Sequence, residues 1–376
     1  MPDALDRFYS IIPAGGAGSR LWPLSRAGAP KFLRDVAGQG TTLLRGTWDR
    51  LLPLGGPDRI LVVTGRAHER EVRRQLPELR PENTVLESEG RDSSAAIGLA
   101  AAVLVRRQPD AIVGSFAADH LIGATGRFHA AVREAAATAE AGYIATIGIQ
   151  PYEPSEAFGY IRTGPPLVIP GAPGARAVES FVEKPDARTA RRYLDSGEYL
   201  WNAGMFIARA DLLLAELERG APELAAGLAE IADAWGTARQ EAVLAELWPR
   251  LPKIAIDYTV AEPAARAGRL AVVPGYFQWD DVGDFAAVGR LHQIRHAAEA
   301  EEANGLFVQG DAGRVVSVDA SGFVCGGSGR VIAVAGIPDV VVVDTPDALL
   351  VTTRAKAQQV KQLVQALGER GLDEVL

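Results

Sequence analysis

The chain has 376 residues, of which 48% are hydrophobic and 23% charged, as in an ordinary folded globular protein. Its 39 lysines and arginines against 47 aspartates and glutamates give a net charge of -8, which excludes a general attraction to nucleic acid or anionic lipid, so any phosphate must be held locally. The single cysteine excludes an internal disulfide and fits a reducing, cytoplasmic compartment.

The N-terminal segment, Met1 to Ser10, carries charged residues and no apolar core, so we expect no signal peptide. No apolar run approaches the roughly 20 residues of a membrane-spanning helix. We therefore expect no contact with a membrane.

From Arg7 to Ile149, short β-branched runs alternate with longer stretches of helical period, which is typical of β-α-β units. The predicted strands are Phe8–Ile12, Arg59–Val63, Thr84–Leu86, Ala111–Phe116 and Tyr143–Ile149, and the predicted helices are Leu43–Leu52, Ala67–Leu76, Ser94–Arg107 and Phe128–Ala141. The pattern predicts an α/β fold with a Rossmann-like mixed, mainly parallel sheet and helices on both faces. Right-handed crossovers would bring the carboxyl ends of the strands to one edge, where such sheets bind ligands.

The alternation becomes less regular after Pro151. The predicted strands there are Gly159–Arg162, Val178–Val182 and Met205–Ala208, and the predicted helices are Ala187–Asp195, Leu212–Glu218 and Glu241–Leu247. The polar stretch His296–Asn304 is typical of a helix end or a linker. We therefore predict one catalytic domain over residues 1–295 and a small C-terminal β domain over residues 296–376.

Short apolar runs at turn-rich spacing follow the polar stretch. They are Gly305–Val308, Val315–Val318, Phe323–Cys325, Val331–Val334, Val340–Val343 and Ala348–Val351, and a helix is predicted over Ala355–Leu367. This spacing is compatible with a β-helix-like coil of rungs and equally with an ordinary meander.

A glycine-rich turn follows the first strand and contains Ala14, Gly15, Gly16, Gly18 and Ser19. Glycines let the backbone take positive φ and bring several N–H groups close to an anion. The turn lacks the third glycine of the dinucleotide fingerprint and the Gly-Lys-Ser/Thr of a Walker A loop. A tight turn that binds nothing is the alternative. Arg20 at its end and Lys31 in Ala-Pro-Lys-Phe favour a phosphate site, because two cations could share a triphosphate.

The pattern Ala14-Gly-Gly-x-Gly-Ser-Arg-Leu-x-Pro23 with Pro30-Lys31 resembles the signature of the sugar-1-phosphate nucleotidyltransferases. Leu21-Trp-Pro-Leu-Ser-Arg26 is similar to their mannose-1-phosphate guanylyltransferase branch. Members usually have threonine in place of Ser19, and often one more residue between the lysine and Phe32. The resemblance extends from about Phe8 to Leu367.

Two aspartates from distant segments are candidate metal ligands. Asp119 precedes His120 after a predicted strand, and Asp281 lies in Trp-Asp-Asp-Val-Gly. Taken alone, each is equally typical of a turn or a helix cap. The resemblance implies that this pair holds the catalytic Mg²⁺, which prefers one or two carboxylates with phosphate oxygens and water. Asp280 is expected outside that pair.

Three further segments carry groups suited to a sugar phosphate. Glu183 and Asn202 could bind hydroxyls and Lys184 the phosphate, although these residues are also typical of a strand end and a turn. In the family such segments line the sugar pocket, and the matching residues here are Gly159, Tyr160, Glu183, Lys184, Asn202 and Gly204. Asp257 matches a family element without a clear role, and helix capping is an equal interpretation.

The segment Arg91-Asp92-Ser93 stands where the guanylyltransferase branch usually reads Arg-Asn-Thr. Guanine offers two donors whose burial without partners would cost about 1–3 kcal/mol each. Asp92 or Glu87 could accept them, or Asp92 could only cap the helix expected near Ser94.

The resemblance implies transfer of GMP from GTP to α-D-mannose 1-phosphate, with release of pyrophosphate, and catalysis by Arg20, Lys31 and Lys184. No other domain of longer bifunctional relatives is expected, and a homodimer would suit an exposed face of the β domain. A uridylyl- or thymidylyltransferase and a non-catalytic nucleotide-sugar sensor remain as alternatives.

Overall fold

The computed structural model describes residues 4–16, 18–295 and 305–376, with side chains described up to residue 291 in the middle range. Internal contacts divide the chain into two compact units. The first unit comprises residues 1–15, 47–118 and 122–279, and the second comprises 16–46, 119–121 and 280–376.

Strands occur along the whole length of the chain. They are β1 (Phe8–Ala14), β2 (Ile60–Gly65), β3 (Thr84–Glu87), β4 (Ile112–Ser115), β5 (Leu121–Ile122), β6 (Ile144–Ile149), β7 (Tyr160–Pro166), β8 (Arg176–Val182), β9 (Tyr199–Arg209), β10 (Leu270–Gly275), β11 (Trp279–Asp280), β12 (Leu306–Gly310), β13 (Val315–Val318), β14 (Gly322–Gly326), β15 (Ile332–Ala335), β16 (Val340–Asp344) and β17 (Leu349–Thr353).

Helices lie between strands in the first part of the chain, four of them follow β9 in succession, and the last one follows the final strand. They are α1 (Leu43–Gly55), α2 (Glu69–Gln75), α3 (Asp92–Arg107), α4 (Thr125–Glu140), α5 (Ala187–Ser196), α6 (Ala210–Gly220), α7 (Pro222–Ala234), α8 (Gln240–Leu247), α9 (Glu262–Arg266), α10 (Phe285–Arg295) and α11 (Val360–Glu369). No described helix is long and apolar enough to cross a membrane.

The first unit is built on a nine-stranded sheet in the order β3-β2-β1-β4-β9-β6-β10-β8-β7. The first four strands of this order are parallel to one another, whereas β9 is antiparallel to both β4 and β6. The α/β class and the mixed sheet are therefore confirmed, but the sheet is not mainly parallel, because β10 pairs in parallel with β6 whereas the described pairs of β7, β8 and β9 are all antiparallel. Because β1 and β4 are parallel neighbours, their carboxyl ends reach the same edge, where the glycine-rich turn and the Asp119 segment begin.

Helix α3 shows why the sequence forms this core. Its residues from Ser94 to Leu104 are buried, and most are alanine or another small residue. A Cβ at Gly98 would lie 2.7 Å from a methyl group of Leu228 and 2.8 Å from one of Leu217, so an alanine there would force the leucines of α6 and α7 to move away from α3.

The C-terminal part of the second unit is a coil of β rungs. β12, β14 and β16 stack in parallel, with Leu306 opposite Gly322 and Gly322 opposite Val340, and β13 pairs in parallel with β15. A meander would pair successive strands antiparallel, so the coil interpretation holds. Gly322 has a φ of 136°, and a Cβ there would lie 2.0 Å from the Val340 carbonyl oxygen, which excludes any other residue. β17 closes the sheet antiparallel to β16.

Most predicted elements are present, with bounds that differ by a few residues. The largest differences are the strand predicted at Met205–Ala208, which extends over all of β9, and the segments α7 and β10, which the pattern did not indicate. The predicted linker His296–Asn304 lies outside the described residues. The predicted boundary between the two domains, at residues 295 and 296, lies at the start of this linker and stays a prediction.

Candidate active site

The glycine-rich turn leaves β1 in a conformation that suits an anion. Gly16 has a φ of 84° and Gly18 a φ of 66°, and Gly15 and Gly16 are exposed. The carbonyl of Ala14 accepts a hydrogen bond from the Thr64 hydroxyl at 2.9 Å, which holds the end of the strand. Ala17 lies outside the described residues.

Gly18 also makes room for the stem of Lys31. A Cβ at Gly18 would lie 2.9 Å from Lys31 Cγ and 3.0 Å from its Cβ. The Gly18 carbonyl accepts a hydrogen bond from the Ser25 hydroxyl. Gly18 therefore has two effects: it allows the backbone a positive φ, and it leaves space for the Lys31 side chain.

The Lys31 ammonium joins the two predicted metal ligands within the second unit. Its Nζ lies 2.9 Å from Asp119 Oδ2, 2.9 Å from the Asp281 carbonyl oxygen and 3.5 Å from the Val282 carbonyl oxygen. Side-chain exposure is 14% for Lys31 and 19% for Asp119. Three segments that are far apart in sequence thus meet at one charged cluster.

The two aspartates of the cluster titrate in opposite directions. Burial raises the pKa of Asp281 to about 6; the charge of Lys31 acts against this, and the charges of Asp280 and Asp119 add to the rise. Burial also acts to raise the pKa of Asp119, but the charges of Lys31 and His120 and the hydrogen bond from Lys31 bring it below its ordinary value. The negative charge of Asp281 is therefore less stabilised by its surroundings than the negative charge of Asp119.

Neighbouring acids have structural partners. Asp280 Oδ1 accepts the Val282 N–H at 2.7 Å, and its Oδ2 lies 3.2 Å from Arg290 Nη2. Asp284 caps α10 by accepting the N–H groups of residues 286 and 287. The helix-cap interpretation therefore belongs to Asp284, and in the described parts of the chain the Asp281 carboxylate has no hydrogen-bond partner.

Asp119 and Asp281 fit a hard divalent cation. They provide carboxylate oxygens, which Mg²⁺ prefers in proteins, and one lysine does not balance their charge. Within the described ranges, no group of three or more His, Cys, Asp or Glu side chains forms a complete metal cage. Two carboxylates suit an ion that takes its remaining ligands from substrate phosphate and water.

Ser19 and Arg20 of the glycine-rich turn make no hydrogen bond or ion pair with this charged cluster in the described parts of the chain. Arg20 lies in a single 3-10 turn, Ser19–Leu21, and its side chain is exposed. No contact joins it to Lys31, Asp119 or Asp281 among the described residues. Its predicted role at the triphosphate stays a prediction, as does that of Ser19.

A second polar cluster lies in the first unit, where the sugar ligands are predicted. Lys184 Nζ lies 2.6 Å from Glu183 Oε1, and Lys184 has a φ of 47°. A Cβ at Gly159 would lie 2.5 Å from Glu183 Oε2, so the glycine leaves space for the carboxylate. The Glu183 side chain is 7% exposed and that of Lys184 is 57% exposed. The cluster thus presents a cation to solvent beside a buried acceptor.

Asn202 is held in this cluster by partners on other elements. Its Oδ1 accepts the Thr146 hydroxyl at 2.9 Å and the Gly204 N–H at 3.2 Å. Its Nδ2 donates to Asp257 Oδ1 at 2.9 Å. Asp257 begins a π turn, Asp257–Ala261, whose N-cap residue, Ile256, makes no side-chain cap bond, and the Asp257 carboxylate is in contact with Asn202.

Charges within the cluster shift its titration. Burial and then the charge of Glu183 raise the pKa of Asp257 to about 6. Burial acts to lower the pKa of Lys184, but its hydrogen bond and ion pair with Glu183 raise it overall. Lys184 is therefore a firmly protonated cation, as binding of a phosphate requires.

Tyr160 lies beneath this surface. Its side chain is fully buried, and its hydroxyl accepts the Ser155 N–H at 2.9 Å. It supports the loop before β7, and its assignment to the sugar stays a prediction.

The predicted base segment is tied to the region around residue 250 of the same unit. The Arg91 guanidinium donates to the Leu251 carbonyl at 3.0 Å and also contacts Glu89 and the Pro249 carbonyl. Ser93 Oγ accepts the Ile256 N–H at 2.9 Å, and Asp92, with a φ of 66°, accepts the N–H of Ser93. These contacts are structural, and α3 begins at Asp92 rather than near residue 94.

Sequence reasoning missed Thr146 and left Asp257 undecided. A threonine inside a buried strand carries no functional signal, because threonine is a common strand residue. The Ile-Asp-Tyr element was a usable signal for Asp257, but the partner that it contacts is 55 residues away along the chain.

Comparison with known proteins gives a consistent result. The family described as nucleotidyl transferase matches residues 9–297, and the MannoseP isomerase/GMP-like beta-helix domain matches residues 313–367. The chain is 38% identical over 372 residues to the Xanthan biosynthesis protein XanB of Xanthomonas campestris pv. campestris, covering 97% of this chain and 74% of that protein. It is 36% identical over 381 residues to the mannose-1-phosphate guanylyltransferase of Escherichia coli K12, covering 99% and 76%.

A solved structure shows the same fold. The protein named mannose-1-phosphate geranyltransferase from Thermus thermophilus superimposes with a TM-score of 0.81 at 32% identity, over 96% of this chain and 99% of that chain. This likeness includes both units, and the β-helix match agrees with the observed coil.

Proposed function

The chain belongs to the nucleotidyl transferase family, and on that premise we propose that it transfers GMP from GTP to α-D-mannose 1-phosphate, giving GDP-mannose and pyrophosphate. The observation that carries the proposal is the meeting of the loop lysine, Lys31, with Asp119 and the Asp281 segment. A related protein 36% identical over nearly the whole chain is named for this activity.

The reaction joins two anions. A phosphate oxygen of mannose 1-phosphate forms a bond to the α-phosphorus of GTP, the bond from that phosphorus to the bridging oxygen breaks, and pyrophosphate leaves with the electron pair. The attacking group is already an anion near neutral pH, so the chain need not supply a general base. Its task is to bind, orient and neutralise both substrates.

The second unit holds most of the groups proposed for the phosphates of GTP. The N–H groups of the glycine-rich turn and the exposed Arg20 would bind phosphate oxygens, and Lys31 would contribute its charge beside them. Divalent metals are generally used in this family. We propose Mg²⁺ held by Asp119 and Asp281, where a bound ion would neutralise developing charge on the phosphates.

The first unit holds the groups proposed for the sugar phosphate. Lys184 would bind the phosphate, while Glu183 and Asn202 would bind hydroxyls in an orientation set by their own partners. Arg91, Asp92 and Ser93 are proposed near the base. Because Arg91 donates to backbone carbonyls, its contribution would be to shape the segment rather than to contact guanine.

The protein is further proposed to work in the cytoplasm, where both substrates would be available, and to form a homodimer through the β coil. Val316, Val318 and Val331 of the coil are 58%, 62% and 65% exposed. Sedimentation of the purified protein would measure the dimer directly.

One assay separates the candidate activities. Pyrophosphate release is measured with GTP, UTP, dTTP and ATP, each paired with mannose 1-phosphate or glucose 1-phosphate, with and without Mg²⁺. Turnover confined to GTP with mannose 1-phosphate is expected. Preference for UTP or dTTP would make the chain a uridylyl- or thymidylyltransferase, and binding without turnover would make it a sensor.

A further inference from the structure

Arg26 belongs to the loop signature but takes no part in the site described above. Its Nη1 and Nη2 each lie 2.6 Å from a different oxygen of the Asp347 carboxylate. Nη2 also donates to Thr345 Oγ1 at 3.3 Å, and Nε donates to the Pro23 carbonyl at 3.2 Å. The guanidinium therefore forms a bidentate ion pair with the C-terminal β coil, which leaves it unavailable to a phosphate.

The backbone of Arg26 is connected to the residues proposed to bind GTP. Its N–H donates to the Ala29 carbonyl at 3.1 Å and its carbonyl accepts the Ala29 N–H at 3.0 Å, two residues before Lys31. The preceding residue, Ser25, donates to the carbonyl of Gly18, against which the Lys31 stem packs. A shift of Arg26 would thus reach Lys31 by two short routes.

Apolar packing ties the same segments to the coil. Leu21 and Trp22 share one hydrophobic cluster with Phe323 and Val343 of the coil and with Val282, the neighbour of Asp281. Trp22 Nε1 donates to a C-terminal carbonyl, that of residue 375, at 2.7 Å. The coil is therefore the common support of the phosphate loop and of the Asp281 segment.

We propose that Arg26 and Asp347 are positioning residues for nucleotide binding, through which the C-terminal coil sets the geometry of Lys31 and Gly18. This inference rests on the proposed function. The Arg26 side chain is 16% exposed and that of Asp347 is 48% exposed, so the pair contributes little as a generic surface ion pair. Its importance lies in orientation, because a displacement of about 1 Å can cost on the order of a hundredfold in rate.

The test compares Arg26→Ala, Asp347→Ala and the double variant in the full-length protein. We expect KM for GTP to rise about tenfold in each single variant, while KM for mannose 1-phosphate stays within about twofold. Since the two residues act as a pair, the double variant is expected to match the single variants rather than to multiply their effects. A merely structural loss would disturb both KM values together.

Arg354→Ala is the matched control. Arg354 Nη2 lies 3.3 Å from Asp339 Oδ1 in the same coil, at the far end of β16 from Asp347. It is expected to leave both KM values unchanged. Unchanged GTP binding in Arg26→Ala, or full multiplication in the double variant, would overturn the inference.

Hydrogen exchange gives a second readout that does not need turnover. Peptides covering residues 18–34 are expected to exchange faster in Arg26→Ala and in Asp347→Ala than in the parent, and not in Arg354→Ala. If the parent has no transferase activity, the proposed function fails while this measurement still decides the inference. Equal exchange in all four proteins would overturn it.

Discussion

Replacing Gly159 with alanine is expected to weaken the binding of mannose 1-phosphate without unfolding the protein. The added Cβ would lie 2.5 Å from Glu183 Oε2, 3.2 Å from Phe181 Cζ and 3.3 Å from Asn202 Cβ. The carboxylate end of Glu183 is the most mobile of these neighbours, so it should move first. The perturbation is thus directed at the proposed acceptor for a sugar hydroxyl.

The size of the effect follows from this geometry. To reach ordinary van der Waals contact at 3.4 Å, the carboxylate must retreat by about 0.9 Å, which is enough to break a hydrogen bond to a bound hydroxyl. A hydrogen bond to a charged group is worth about 1.5–3 kcal/mol, which corresponds to roughly 10- to 150-fold in affinity. The loss is expected mainly in KM for mannose 1-phosphate, with KM for GTP nearly constant.

Steady-state kinetics with both substrates varied provides the measurement. Gly126→Ala serves as the control, because a Cβ there meets no atom within 4 Å. Glu183→Ala should raise KM by a similar factor, and Gly159→Ala should add little to it. If Gly159→Ala keeps a parental KM for mannose 1-phosphate while its melting curve is normal, the assignment of Glu183 to the sugar is wrong.

Three other predictions concern charge and the lone thiol. Asp119→Asn and Asp281→Asn should each lower turnover by about two orders of magnitude or more, whereas near-normal turnover of either in Mg²⁺ would remove it from the metal site. Burial raises the pKa of Glu87 to about 7, so the folded state holds its proton more tightly than the unfolded state, and the stability associated with it is lost as the pH rises from about 4.5 through 7. Glu87→Gln should therefore gain up to about 3 kcal/mol over the parent in urea unfolding at pH 8 and little at pH 4.5; equal gains at both pH values would contradict this. Burial raises the pKa of Cys325 to about 11, so its labelling by a thiol reagent at pH 8 should be about a hundredfold slower than that of a free cysteine, and labelling at the free-thiol rate would show an exposed sulfur.

The parallel half of the sheet was predictable because each strand is a compact β-branched run. The run at Arg59–Val63, for example, became β2 at Ile60–Gly65. β9 was only partly recognised, since its first half contains Asn202 and Gly204, residues that are poor in strands. The antiparallel insertion of β9 between β4 and β6 depends on long-range pairing, which no local pattern reveals.

The residues of the candidate site were predictable from their motifs, whereas their partners were not. The loop pattern predicted Lys31, and a resemblance predicted Asp119 and Asp281, but nothing local indicated that one ammonium would contact both segments. The contact between Arg26 and Asp347 spans 321 residues of sequence. Such contacts join residues that are distant in sequence, so they depend on the tertiary fold and no local sequence pattern predicts them.

The placement of acids beside a phosphate loop also indicates how the site must work. Two unit charges at 4 Å repel by about 4 kcal/mol near a protein surface, so Asp119 and Asp281 alone would oppose the binding of a triphosphate. Lys31 can offset only one of them, and its two contacts at 2.9 Å already go to oxygens of Asp119 and Asp281. A site that only bound phosphate would be expected to have cationic side chains such as Arg20 in place of these two aspartates. A divalent cation held by Asp119 and Asp281 would offset this repulsion, and we therefore expect GTP to bind weakly without the metal and tightly with it.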